Sequence, residues 1–252
     1  MHYPTVNPKN IFNMFLHKSA SKNELVTQFV NWLVADIAKV LANKPRYTIA
    51  LSGGSTPMDV FKTLASEAYA SKIDWKKIHV FWGDERDVPF EDDKNNAKHA
   101  FDLLLSKVPV PANQIHIIET VYTAEIAARR YDQLLHEYFD GRTHSFDLVM
   151  LGMGDDGHTL SLFPGTSVIH EASKLATSFY LDAQKMNRIT ITAPITNKAS
   201  VVCFLVSGKS KAPALKEVLQ GKYKPDVYPS QCIKPLNGNL HWFIDEEAAT
   251  LL

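Results

Sequence analysis

The sequence predicts an α/β fold, a doubly wound, mostly parallel sheet flanked by helices. Short apolar runs alternate along the chain with longer segments of helical periodicity. The run Phe146-Asp-Leu-Val-Met-Leu151 is almost continuously apolar, as expected of a strand covered by helices on both faces. Each polar motif follows such a run, where the carboxyl ends of parallel strands form a ligand crevice.

The elements follow in order. Asn23 to Leu41 places Leu25, Phe29, Leu33, Ile37 and Val40 on one helical face. Tyr47-Thr-Ile-Ala-Leu51 reads as a strand running into Ser52-Gly-Gly-Ser-Thr-Pro57, with Pro57 expected at the first helical position after a Ser or Thr cap. Val60, Phe61, Leu64 and Ala68 then mark a helix, and Ile78 to Trp82 the next strand. Asn96 to Leu105 and Ala124 to Phe139 read as helices, and Arg188 to Thr192, Val201 to Val206 and Leu240 to Asp245 as strands. Lys211 to Leu219 is the helix between the last two.

A chain of 252 residues, 45% hydrophobic and 21% charged, can bury a sizeable core. Without repeats, low-complexity tracts or linkers, residues 1–252 are expected to form a single domain. Lys plus Arg and Asp plus Glu both number 27, a balance that gives no support to nucleic-acid or membrane-surface binding. Cys203 and Cys232 form no Cys-x-x-Cys pair, and no signal peptide or transmembrane run is evident, so the cytoplasm is the expected compartment. Nothing specifies an assembly beyond a monomer or small homo-oligomer.

Ser52, Gly53, Gly54, Ser55 and Thr56 join a strand to a helix start, where free N–H groups, the helix dipole and hydroxyls suit a phosphate. A plain strand-to-helix turn would look the same. No Gly-Lys-Ser/Thr follows, which disfavours a nucleoside triphosphatase. Arg188 and Lys209, both near strand ends, could complete the cradle, or could be solvated charges. In Gly83-Asp-Glu-Arg-Asp-Val-Pro89, Asp84 and Glu85 could hold sugar hydroxyls or move a proton, and Arg86 could fix a phosphate or an oxyanion. Asp87 reads better as a solvated charge.

Gly152-Met-Gly-Asp-Asp-Gly157 matches the dinucleotide pattern G-x-G-x-x-G, but Pro164-Gly165 leaves no room for the long helix that pattern requires. The alternative is a turn that presents His158 as a general base, with Asp156 orienting its ring. A histidine capping a helical turn is the bland reading of the same residues. The other histidines show no metal-ligand spacing, and no G-x-S-x-G elbow is present.

Taken together, these motifs resemble the 6-phosphogluconolactonase family over nearly the whole chain. They are Ser52-Gly-Gly-Ser-Thr-Pro57, Asp84-Glu-Arg86 with Val88-Pro89, Gly152 to Thr159 with Ser161-Leu-Phe-Pro-Gly165, Arg188-Ile-Thr190, Ser207-Gly-Lys209, and Leu240 to Asp245 with Ala248-Ala249. The resemblance implies a Rossmann-like fold of the sugar-phosphate isomerase/deaminase type and hydrolysis of 6-phospho-glucono-1,5-lactone without metal or organic cofactor. It implies His158 as the base, Arg86 as a substrate or transition-state contact, and the phosphate near Ser52 to Thr56, Arg188 and Lys209. The related glucosamine-6-phosphate deaminases carry Asn-Glu-Pro and Asp-Glu-Tyr where this chain has Leu162-Phe-Pro164 and Asp84-Glu-Arg86, which favours the lactonase over a deaminase or isomerase. A non-catalytic sugar-phosphate sensor would need a DNA-binding module, for which the chain leaves no evident room. Asn95-Asn96 and Leu160 depart from the family's usual Ser-Asn and Ala.

Overall fold

The computed structural model describes residues 13–252 apart from Asn237. In chain order its elements are β1 (Asn13–Ser19), α1 (Lys22–Leu41), β2 (Tyr47–Leu51), α2 (Ser55–Leu64), α3 (Glu67–Ala70), β3 (Ile78–Trp82), β4 (Asp84–Arg86), α4 (Asn96–Ala100) and β5 (Ile115–His116). They continue as α5 (Ala124–Phe139), β6 (Leu148–Gly152), β7 (Ala176–Leu181), β8 (Met186–Ile191), α6 (Ala193–Asn197), β9 (Val201–Val206), α7 (Ala212–Gln220) and β10 (Asn239–Asp245).

Seven strands form one sheet in the order β1-β10-β9-β6-β2-β3-β5, and every pairing in it is parallel. The central strands β2 and β9 are buried at every residue, which is why they read as unbroken apolar runs. The helices cover this sheet with amphipathic faces. Ser21 caps α1 by accepting the Glu24 N–H, and the helix buries Leu25, Val26, Phe29, Val30, Leu33 and Ile37. α5 buries Ala124, Ala127, Ala128, Tyr131, Leu135 and Phe139. The Tyr131 hydroxyl meets both the N–H and the carbonyl of Trp82 at 2.9 Å, tying α5 to the end of β3.

A second, three-stranded antiparallel sheet, β4-β8-β7, corrects two expectations. Asp84 to Arg86 is a short strand rather than a turn, and the strand around Arg188 pairs with it instead of joining the main sheet. The register sets Asp84 opposite Thr190, Glu85 opposite Ile189 and Arg86 opposite Arg188. Pro57 is the third residue of α2, not the first. It is tolerated there because the first four helical N–H groups have no intrahelical partner to lose. The expected helix from Asn96 to Leu105 is α4 continued by a wider π turn at Phe101–Leu105. No helix among the described residues is long and apolar enough to cross a membrane.

Candidate active site

The loops that leave β2, β3, β6 and β9, four consecutive strands of the main sheet, converge on a cleft of about 230 Å³. Its lining combines Ser52 to Pro57, Asp84, Arg86, Asn96, Gly152 to Gly154, His158 to Leu160, Arg188, Ser207 and Lys211. A larger hollow of about 410 Å³ between β5 and α5 shares no residue with it.

On one wall, α2 starts at Ser55 behind Gly54, with no side chain capping its first turn. The first N–H groups of that helix and the hydroxyls of Ser52, Ser55 and Thr56 therefore remain available to an anion. The loop's sequence explains this directly, because a Ser or Thr placed one residue earlier would have closed the helix end with its own oxygen.

On the facing wall, β6 ends in the turn that carries His158. His158 Nδ1 donates to Asp156 Oδ1 at 2.6 Å, and the His158 backbone N–H reaches the same oxygen at 3.1 Å. With Nδ1 engaged, a neutral ring presents the lone pair of Nε2, which has no hydrogen-bond partner among the described residues. The ring stacks on Phe163 with centroids 4.1 Å apart, leaving the side chain 27% exposed. Burial pushes the Asp156 carboxyl up, but the hydrogen bonds and charge of His158 outweigh it and hold the group below its usual range. Gly154 makes this pair possible. A Cβ built there would stand 2.1 Å from His158 Nδ1 and 2.5 Å from Asp156 Oδ1. No helix follows Gly157; the next helical turn is Ser167–His170, so the dinucleotide pattern is a coincidence of glycines serving a tight turn.

The floor is a buried polar cluster. Asp84 Oδ2 accepts from Ser161 Oγ at 2.6 Å and from Arg188 Nη2 at 3.1 Å. Arg188 Nε donates to Ser161 Oγ and its Nη1 to Gln184 Oε1, both at 3.0 Å. Arg188 is only 4% exposed, and burial lowers its pKa against the pull of Asp84, with Arg86 lowering it further. It is therefore no solvated charge, and its positive charge is shared with Asp84 before any ligand arrives. Arg86 Nη1 donates to the Lys94 carbonyl at 2.7 Å, while its buried Nε has no partner among the described residues.

Two site expectations need correction. Glu85 does not face the cleft: it points from the opposite side of β4 into the protein, is 1% exposed, and accepts from the backbone N–H groups of Arg86, Asn96 and Ala97. Of the two acids, Asp84 is the one on the cleft. Lys209 is exposed and outside the lining, because the 3-10 turn Lys209–Lys211 brings Lys211 to the cleft instead. Lys211 pairs with Asp155 at 2.5 Å, and this contact holds the Asp155 carboxyl below its usual range. Sequence reasoning passed over Ser161, Asn96 and Lys211. The signal for Lys211 was its place immediately before the helix that starts at Ala212.

Residues 20–242 match the family described as Glucosamine-6-phosphate isomerases/6-phosphogluconolactonase. The chain belongs to this family. A 6-phosphogluconolactonase of Synechocystis is 38% identical over 232 residues, covering 90% of this chain and 94% of the relative. The crystal structure of a 6-phosphogluconolactonase from Thermotoga maritima is 28% identical with a TM-score of 0.80, covering 92% of this chain and 100% of that one. A monomeric glucosamine-6-phosphate deaminase superposes with a TM-score of 0.81 at 22% identity over 94% of this chain and 99% of that one, a likeness of fold alone. Within the family, the arginine of Asp84-Glu-Arg86 lies in the cleft, and Leu162-Phe-Pro164 puts no carboxylate behind His158.

Proposed function

We propose that the chain hydrolyses 6-phospho-D-glucono-1,5-lactone to 6-phospho-D-gluconate, the second step of the oxidative pentose phosphate pathway. The observation that carries this reading is the His158–Asp156 pair facing an uncapped helix start across one cleft. The Ser52 to Thr56 loop and Lys211 hold the phosphate, with Arg188 adding charge from the floor. Water attacks the ring carbonyl carbon while His158 Nε2 takes its proton. Asp156 keeps the ring in the required tautomer and stabilises the imidazolium, and the Arg86 guanidinium, on the cleft lining, meets the oxyanion. Collapse breaks the bond to the ring oxygen, which receives the proton back from His158. A base of this kind contributes about 10²–10⁴-fold and an oxyanion donor about 10²–10³-fold. Asp84, held by Ser161 and Arg188, orients sugar hydroxyls with its remaining acceptor capacity. We assign the chain to the cytoplasm, where its two unpaired cysteines suit a reducing environment.

The test is acid release from freshly prepared lactone. His158→Ala, folded and binding product, should lose at least about 10²-fold in kcat. Turnover near the parent value would remove His158 from the role of base.

A further inference from the structure

Glu85 is a buried carboxylate for which the reaction above has no use. Its Oε1 accepts from the Arg86 N–H at 2.9 Å and the Asn96 N–H at 2.7 Å, and its Oε2 from the Ala97 N–H at 2.9 Å. No ion pair among the described residues includes it. Burial pushes its carboxyl up to about 7 against the pull of those three donors, with Asp84 adding to the rise. A buried acid outside any direct ion pair is a costly way to hold a strand against a helix. Two of its three bonds go to residues that line the cleft, Arg86 and Asn96.

The Asn96 side chain shows where this leads. It is 2% exposed, and its Nδ2 donates to the Asp84 carbonyl at 2.9 Å, with Asp84 Oδ1 at 3.5 Å. Those acceptors decide which end of the amide is nitrogen. The other end, Oδ1, is buried without a partner among the described residues and lies against Gly53 of the phosphate loop. A Cβ at Gly53 would stand 1.9 Å from it, so loop and amide are already in closest approach. Asn96 is thus the point at which the strand carrying Asp84 and Arg86 meets the phosphate loop.

We propose that Glu85 is a positioning residue for this reaction: it clips the start of α4 to β4, and so sets Asn96 against Gly53 and fixes the phosphate loop relative to Arg86. The inference rests on the phosphate-loop reading given above. A carboxylate suits the task because both oxygens accept. An amide of the same shape turns one acceptor into a donor, which then faces a backbone N–H.

The experiment compares Glu85→Gln, Asn96→Ala and a control, Leu135→Ala, which removes a buried side chain of α5 outside the cleft. Two quantities are read in each folded variant. One is the affinity for inorganic phosphate, followed by 31P NMR. The other is the ratio of kcat/KM on 6-phosphogluconolactone to that on unphosphorylated gluconolactone. Glu85→Gln and Asn96→Ala should each weaken phosphate binding and lower the ratio by about tenfold, less than the roughly 10² that a full 1 Å misplacement costs. Leu135→Ala should leave both at the parent value although its melting temperature falls. Parental phosphate affinity and ratio in either variant would overturn the proposal, as would an equal loss in Leu135→Ala. If Glu85→Gln does not fold, Glu85→Asp, which keeps both acceptor oxygens but stops one methylene short of the α4 N–H groups, takes its place with the same two readouts and the same expected loss. Phosphate affinity is measurable whether or not the lactone turns over. A wild-type protein without turnover therefore refutes the reaction and leaves the positioning role to be judged on binding.

Discussion

Gly154→Ala isolates the contribution of the Asp156–His158 pair without touching either residue. Gly154 is not among the glycines with positive φ, so its backbone accepts an alanine. The new methyl carbon would lie 2.1 Å from His158 Nδ1, 2.3 Å from Cε1 and 2.5 Å from Asp156 Oδ1. Ordinary contact needs about 3.5 Å, so ring and carboxylate must retreat by about 1 Å or more. Two constraints prevent a harmless retreat. The Gly154 N–H donates to the His158 carbonyl at 2.8 Å, and Phe163 stacks against the ring. The 2.6 Å hydrogen bond is therefore lost or bent, and the base moves relative to the phosphate loop. A displacement of about 1 Å costs about 10²-fold in rate, or about 2.7 kcal/mol of barrier. Initial rates on fresh 6-phosphogluconolactone should show kcat lower by about that factor, with affinity for 6-phosphogluconate within about threefold of the parent. A folded Gly154→Ala protein with kcat within about threefold of the parent would falsify the view that this pair sets the base.

Further outcomes follow from the same geometry. Lys211→Ala should weaken phosphorylated ligands by about tenfold or more, whereas Lys209→Ala should stay within about twofold; the reverse order in a binding titration would restore the sequence-based choice of cation. Arg188→Ala leaves the buried Asp84 charge without its partner and should cost about 3–5 kcal/mol of stability in urea unfolding, well beyond a surface substitution. His116 is lowered to about 4, by burial first and then by His79 and Arg46, and burial and Arg46 lower His79 too. The unfolded chain therefore binds more protons in this window. Stability should fall as the pH drops from about 6.5 to about 4, by about 1–2 kcal/mol for the partly buried His116 once solvent screening is allowed for. His116→Gln, which can still accept the Tyr138 hydroxyl, should flatten that slope in pH-dependent unfolding, and an unchanged slope would assign it elsewhere.

Strands buried on both faces announce themselves, which is why Tyr47–Leu51, Ile78–Trp82 and Val201–Val206 were readable to within a residue. β1 and β7 were not, because each mixes buried and exposed residues. β5 is two residues long, and β4 is three polar residues whose pairing partner lies about a hundred positions away. The misplacement of Glu85 follows from that last omission. In a turn, neighbouring acids can share a side, but in a strand Asp84 and Arg86 take one face and Glu85 the other. The preference for Lys209 over Lys211 has a similar origin, since proximity to a strand end is a weaker guide than the direction in which a helical turn throws its side chains. The loop at Ser52 to Thr56 and the turn at Asp156 to His158 were legible because glycine, hydroxyl and charge recur there at short spacing.

The cleft draws on residues from Ser52 to Lys211, supplied by neighbouring strands that chain order keeps apart. Parallel strands cannot be joined by a hairpin, so no local segment of the chain contains even half of the lining. β9 must dock between β6 and β10 before Lys211 can approach the Ser52 loop. The pocket is consequently a late product of folding with little meaning in a fragment, and a ligand that needs all of it binds only the finished sheet. Occupancy then adds its full binding free energy to global stability, so a saturating phosphosugar should shield amides as distant as those of α5 and β10 from hydrogen exchange through global opening, as well as those of the loops it touches.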